Sequence, residues 1–360
     1  MKEALVSNPT GNNVVVSIRD SPVPTPGESQ VVIRVVAAAL NPKDWKLLRV
    51  MKEPTNQGDD IAGYVHSVGP KVTEFKPGDR VAAFHQMTAP HGGYAEYAVA
   101  WAHTTFHIPD ETSFEEASTI PLAAMTAALG LYQNLGLPLP WQPARTPTPL
   151  IVYGGSSTVG SFAIKLASLS NIHPIIAVAG KGAAQVRNLL DPSKGDTVID
   201  YKAAGNDDAI VRELNNALGG KKARFAFDAI SEHNSYVNIG RVLDPAAGRI
   251  TVVLPGRKYN MPIDIKPVIT TVGSVHTNRN QRNEPGGKVG KLGDQEFGAV
   301  FFRFFGRGLA GGWFTGHPYR IVERGLEGIA SALNDLREGK VSGFKYVVRI
   351  ADTPGLGAKL

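Results

Sequence analysis

The chain has 360 residues, 42% hydrophobic and 19% charged, which is enough for two ordinary domains and too apolar for a disordered chain. It contains no cysteine, which excludes disulfides, thiolate nucleophiles and Cys-ligated zinc. The net charge of +6 is spread without basic runs, MKEALVSNPT lacks an apolar leader and no stretch is long enough to span a membrane, so a cytoplasmic protein without nucleic-acid or membrane partners is expected.

The first 120 residues read as β-rich. VVIRVVAAAL (31–40), GYVHSVG (63–69), RVAAF (80–84) and YAEYAVA (94–100) are expected strands, with a turn in FKPGDRV (75–81). SFEEASTIPLAAMTAALGLYQ (113–133) reads as helix, with Ser113 as cap and Glu116 three residues on. The Pro-rich LGLPLPWQPARTPTPL (135–150) reads as a surface connector between domains. Strands are then expected at 149–155, 174–180, 197–202, 223–230, 249–255 and 270–276, with helices between them such as 161–170 and 207–218. That alternation means a doubly wound α/β domain with a parallel six-stranded sheet. A Gly- and Asn-rich loop follows residue 277. Helices at 294–309 and 323–337 and a strand at 344–350 form a tail that returns to the first domain.

IVYGGSSTVGSFAIKLA (151–167) runs strand, Gly-rich turn, helix, the order that aims backbone N–H groups and a helix N-terminus at a pyrophosphate. Gly154, Gly155 and Gly160 remain of the dinucleotide fingerprint. Ser156, Ser157 and Thr158 replace its middle, and their hydroxyls could donate to phosphate oxygens. An NAD site would place an acid at the end of the second strand; this chain has Ala179, Gly180 and Lys181 there, followed by Gly182, which favours NADPH. Tyr201, after the third strand, could stack on or bond to the same end of the cofactor.

In GDDIAGYVHSVG (58–69), Asp59 and Asp60 invite a metal or acid–base reading. Adjacent residues of a strand point to opposite faces, so the two carboxylates are expected to make local hydrogen bonds and not to share an ion or a substrate. Gly58, Gly63, Gly69 and Val72 form the pattern G-x4-G-x5-G-x2-V. With the β-rich start, it resembles the medium-chain dehydrogenase/reductase superfamily. There a GroES-like catalytic domain is interrupted by a Rossmann domain. The resemblance implies catalytic-domain residues 1–124, an NADPH-binding Rossmann domain at 125–276 and a return segment at 277–360. In the zinc alcohol dehydrogenases the first glycine is followed by a zinc-ligating His; Asp59 stands there, and the cysteine ligands have no counterpart. No metal is therefore expected, and His85, His91, His103 and His107 lack ligand spacing.

NPKDWKLLR (41–49), GGYAEY (92–97) and GDTVIDYK (195–202) are similar to motifs of the zinc-free quinone and enoyl reductase branch. Lys46, two residues after the Asp of NPKD, and EGKVSGFKYVVRI (338–350) resemble the fungal stand-alone, trans-acting enoyl reductases of polyketide synthesis. That resemblance implies cofactor contacts at Lys43, Asp44, Trp45 and Lys46, at Ser156, Ser157, Thr158 and Val159, and at Ala179, Gly180, Lys181 and Gly182. It also implies them at Tyr201, at Val253 and Leu254, and at Ser342 and Gly343. The implied substrate residues are Thr126, Ser274, Val275, His276, Thr277 and Asn278.

Enoyl reduction delivers hydride from nicotinamide to the β-carbon of an unsaturated thioester or ketone, and charge builds on the carbonyl oxygen. Lys46 is the candidate donor to that oxygen, or else a cofactor anchor. Thr126 is a candidate for bonding cofactor or acyl group, or else an ordinary helix residue. The leading expectation is an NADPH-dependent enoyl reductase acting on a polyketide held by a partner synthase. A quinone or enone reductase of free small molecules and a non-turning NADPH-binding protein stay open. The resemblance leaves the oligomeric state open, leaning to monomer.

Overall fold

The computed structural model describes residues 1–8, 11, 13–51, 53–276 and 293–356. Thr277, Asn278 and the loop expected after them lie outside the described residues. The chain divides into two compact units, Met1–Leu122 with Gly273–Leu360, and Ala123–Val272.

In the first unit β1 (Lys2–Ser7) and β2 (Val15–Asp20) form an antiparallel ribbon. β3 (Gln30–Ala39), β4 (Asp60–Val68), β5 (Arg80–Phe84), β6 (Tyr97–Trp101) and β7 (Thr105–His107) build the larger sheet. The alternation of β3 turns Val31, Ile33 and Val35 into one core. Gly63 of β4 lies where a Cβ would come within 2.0 Å of the Arg34 carbonyl oxygen, so only glycine lets β3 and β4 approach here. The strand expected at 94–100 begins at Tyr97; Tyr94 is fully buried, its N–H held by the Asn56 side chain.

The helix expected over 113–133 is broken. Phe114–Ser118 is capped by Ser113, whose hydroxyl accepts from the Glu116 N–H at 3.1 Å, and a new helix starts at Pro121. Proline has no N–H to continue a helix but suits its first position.

The second unit carries β8 (Leu150–Tyr153), β9 (Ile175–Ala179), β10 (Thr197–Asp200), β11 (Phe225–Asp228), β12 (Arg249–Val252) and β13 (Val268–Ile269). They form a parallel sheet in the order β10-β9-β8-β11-β12-β13, the doubly wound arrangement. β8 and β9 are buried along their whole length, as strands covered on both faces must be. Two expectations are corrected. The sixth strand is Val268–Ile269, and Val272–His276 is a 3₁₀ turn, because the chain leaves the sheet after the Thr270 N–H bonds the Val252 carbonyl. The Pro-rich stretch 135–150 is no connector between domains: it lies inside the second unit, with Leu135, Leu137 and Ala144 buried.

The chain then rejoins the first unit. Helix Asp294–Ala310 buries Phe301, Phe302 and Phe305, and Phe302 stacks on Phe106 of β7 at 5.9 Å. β14 (Tyr319–Val322), which was not anticipated, pairs parallel with β15 (Lys345–Arg349), and β15 pairs antiparallel with β3. The helix expected from 323 starts at Ile329, because Arg324 and Gly325 hold left-handed backbone (φ 64° and 53°) that cannot open a helix.

Asp60 anchors this return. Its carboxylate pairs with the buried Lys345 ammonium, accepts from Asn41 Nδ2 at 2.8 Å and from the Leu122 N–H at 2.7 Å. Removing one member of a buried pair leaves the other charged and unpaired. Asp60→Ala should therefore lose about 3–5 kcal/mol in urea unfolding, and Asp60→Ala with Lys345→Met should recover part of it. A loss below about 1 kcal/mol, the scale of an exposed pair, would show that the pair does not hold the return strand.

Candidate active site

In the first unit the site grows from the short helix Pro42–Lys46. Asp44 reaches back to the N–H of Asn41 at 2.7 Å, half of a capping box, and accepts from the Tyr94 hydroxyl at 2.6 Å. Its other oxygen faces Lys43 Nζ at 2.9 Å. Lys43 also pairs with Asp59 and donates to the Gln57 carbonyl at 2.6 Å. Asp59 in turn receives His85 Nδ1 at 2.9 Å, while His85 Nε2 lies 3.0 Å from the Pro90 carbonyl. Burial pushes the Asp59 carboxyl up, but the Lys43 ammonium and His85 outweigh it and hold it below the usual range. Burial works against the Lys43 charge, and Asp44 and Asp59 outweigh it, so Lys43 is held above the ordinary lysine value. Burial, with Asp59 as a like charge, lifts Asp44 to about 6 in spite of Lys43.

Of the expected cofactor-contact residues, Lys43 and Asp44 have side chains engaged within the protein. Lys43 Nζ lies against the Asp44 and Asp59 carboxylates and donates to the Gln57 carbonyl, and Asp44 is fully buried. Trp45 packs on the core of the unit, with Lys46 Nζ 5.6 Å and the Arg49 guanidinium 5.0 Å from its ring centre. Ser342 and Gly343 form the turn that enters β15. Ser274 is partly exposed, whereas Val275 and His276 are buried. His276 Nε2 lies 3.2 Å from the Phe84 carbonyl, one residue from His85, and His103 Nε2 lies 3.0 Å from the Val275 carbonyl. The structure therefore brings Val275 and His276 beside the Asp59–His85 pair, which acts electrostatically on His276. Asn41, Tyr94 and His85 were missed by sequence reasoning. The Asn-Pro-x-Asp spacing could have revealed the cap, but nothing in the sequence marks His85 as a partner of Asp59. Among the described residues, no group of three or more His, Asp or Glu side chains is placed to hold a metal ion.

In the second unit, β8 runs into Gly154 (φ 83°) and the helix Thr158–Leu169. A Cβ on Gly160 would fall 2.2 Å from the Gly154 carbonyl oxygen, so glycine lets the helix close on the turn. Ser157 caps the helix, its hydroxyl oxygen accepting from the Gly160 N–H at 3.0 Å. The N–H groups of Thr158 and Val159 have no intrahelical carbonyl, and with Ser156 they are partly exposed. This is a cradle for an anion, and it fits a pyrophosphate.

Beyond β9, Ala179 is buried and Lys181 is exposed. A Cβ on Gly180 would lie 2.6–2.8 Å from the Tyr201 ring, so the bare glycine is what lets that ring lie against the chain. Gly182 begins the short helix that follows. Asp200, beside Ala179 in the register, caps the Tyr201–Ala204 turn by accepting from the Lys202 N–H at 2.9 Å. Beyond β12, the Val253 N–H donates to the Ser231 hydroxyl at 2.9 Å and the Leu254 carbonyl accepts from Tyr259 at 2.6 Å. Thr126 is buried in the helix Pro121–Ala128.

A β-rich unit interrupted by a doubly wound unit with an anion cradle is the architecture of a nicotinamide-dependent oxidoreductase. Residues 27–110 match the alcohol dehydrogenase GroES-like domain. The chain is 44% identical over 327 residues to the trans-enoyl reductase fsr4 of Gibberella fujikuroi, covering 89% of this chain and 90% of the relative. It is 29% identical to the enoyl reductase component lovC of the lovastatin nonaketide synthase of Aspergillus terreus, covering 92% of each. An alcohol dehydrogenase superfamily protein from Novosphingobium aromaticivorans shares the fold, with a TM-score of 0.76 at 21% identity over 97% of this chain and 99% of that one. The chain belongs to the trans-enoyl reductases of the medium-chain dehydrogenase/reductase superfamily.

One buried acid of the second unit ends β11. Asp228 accepts from the Ile230 and Ser231 N–H groups at 3.0 and 2.8 Å and from the Ser235 hydroxyl at 2.6 Å. Burial lifts its carboxyl from 3.8 to about 6, against those three donors. The folded state then holds this proton more tightly than the unfolded state. The stabilisation is fully present below about pH 4 and is lost as pH rises through about 6. Asparagine can accept the same N–H bonds and donate to Ser235. Asp228→Asn should gain stability relative to the parent between pH 4 and pH 8, by on the order of 1–3 kcal/mol. Thermal unfolding at both pH values measures the difference; one that does not change with pH would mean Asp228 is not charged at the higher value.

Proposed function

We propose that the protein is an NADPH-dependent enoyl reductase that saturates the α,β double bond of a polyketide thioester carried by a partner synthase. The similarity to fsr4 along nine-tenths of the chain carries this reading, and lovC, a component of a polyketide synthase, supports the partner. The cradle at Ser156–Val159 would hold the pyrophosphate. Lys181 and Tyr201 would hold a 2′-phosphate, since the acid beside Ala179 is already engaged as a cap. When bound, the reduced nicotinamide supplies hydride to the β-carbon. Lys46 donates to the carbonyl oxygen as negative charge develops there, and Thr126 positions the acyl group.

Oxidation of NADPH with crotonyl and polyketide thioesters, run beside a small quinone, tests the activity. Turnover of thioesters is expected. Turnover of quinone alone would make the protein a reductase of free small molecules, and no oxidation with any substrate would make it a binding protein. Lys46→Ala should keep NADPH binding and lose about 10- to 100-fold in kcat; unchanged turnover would remove Lys46 from the chemistry. Lys181→Ala should raise the KM for NADPH by about tenfold and leave that for NADH unmoved. A parent enzyme that prefers NADH would overturn the cofactor assignment.

A further inference from the structure

The first unit holds a cavity of about 450 Å³ between the turn before β3, the end of β6 and the loop 85–91. That volume lies in the range that takes a small organic ligand. Pro26, Ala89, Pro90 and Trp101 give it apolar surface, and among the described residues no lysine, arginine, aspartate or glutamate lines it. Two side-chain amides also line it, and each is oriented by a donor. Gln86 Oε1 accepts from Trp101 Nε1 at 2.7 Å, and Gln30 Oε1 accepts from the Gly27 N–H at 2.8 Å. An indole and a backbone N–H can only donate, so in each glutamine the oxygen is the engaged atom and the NH2 group is left over. Neither NH2 group has an acceptor among the described residues. His85 lines the cavity too, but both its ring nitrogens are engaged, with Asp59 at 2.9 Å and the Pro90 carbonyl at 3.0 Å. The loop wall is held in a costly shape: Thr88 and His91 both adopt left-handed backbone at φ 65°. Such conformations in residues with side chains collect where ligands are clamped.

We propose that this cavity is a second ligand site, and that it takes an uncharged flat molecule bearing carbonyl oxygens, of the pyrone or benzopyranone kind. The absence of lysine, arginine and carboxylate side chains from the lining selects against a charge. The two NH2 groups only donate, so they select a carbonyl oxygen. The indole and the proline rings favour a flat partner. The site is independent of the enoyl-thioester reading, because none of its lining residues belongs to the anion cradle or is Lys46, Thr126 or a residue of the turn Val272–His276.

Coumarin, an uncharged bicyclic ring with a lactone carbonyl, is the probe, and naphthalene, of similar shape without the carbonyl, is the control. Equilibrium dialysis of the full chain without NADPH measures both. Coumarin should bind about tenfold more tightly than naphthalene. Gln86→Glu keeps the acceptor for Trp101 Nε1 and puts an oxygen in place of the NH2 donor. It should weaken coumarin about tenfold and leave naphthalene unmoved. Ala89→Phe fills the cavity from the loop and should weaken both probes by at least about tenfold. Both variants should keep the parent's NADPH binding. Coumarin affinity unchanged in Ala89→Phe would place the probe elsewhere and overturn the assignment. Equal affinity for the two probes, or no binding of coumarin at millimolar concentration, would overturn it as well. If Ala89→Phe does not fold, Gln86→Glu decides alone, and an unchanged coumarin affinity there sinks the proposal.

Discussion

The first unit is organised by one ammonium held between two carboxylates. Lys43 is enclosed by the Asp44 and Asp59 carboxylates and the Gln57 carbonyl. Two acids and one base leave an excess of negative charge, which the Tyr94 hydroxyl, the Asn41 N–H and His85 share by hydrogen bonding. Such a cluster is tolerable in a buried place only when all its members are present, because the loss of one strands the rest. The cluster therefore ties the helix Pro42–Lys46, the start of β4 and the end of β5 into one piece, and the orientation of Trp45 and Lys46 follows from it.

The paired aspartates show how one backbone rule separates two tasks. In extended chain, neighbouring side chains point to opposite faces. Asp59 turns to Lys43 and His85, and Asp60 turns to Asn41, Lys345 and the Leu122 N–H. One residue thus belongs to the charged cluster and the next to the joint that holds the returning strand β15 on β3.

Much of this was legible from local rules. The alternation of β3, the continuous apolar strands β8 and β9 and the glycine turn after β8 each carry their reason within a few residues. What failed depended on distant partners. Asp60 meets Lys345 across 285 positions, and no local pattern announces it. TTVGSVH looked like a strand because its β-branched residues fit one, yet the last sheet pairing ends at Ile269. The stretch 135–150 looked like a linker by composition, while Leu135 and Leu137 are buried within the second unit. The pairing of Lys43 with both Asp44 and Asp59 is likewise invisible in the motif and appears only in the geometry. Gly180 reads in the sequence only as part of a strand end without an acid, and the Tyr201 ring supplies the reason for a glycine there.

Asp59 and Asp228 are both buried aspartates, yet they are displaced in opposite directions. Asp59 is held low because its partners include an ammonium, whereas Asp228 is met only by neutral donors and rises to about 6. Hydrogen bonds from neutral groups lower the cost of a buried carboxylate without matching its charge, and a cation does both. The consequence differs between the two aspartates. The charge of the Lys43–Asp59 pair is constant through the neutral range, so the field it sets around His276 is constant too. The crevice at the end of β11 instead contains an acid that changes charge within that range, as Asp44, lifted to about 6 on the other side of Lys43, does in the first unit.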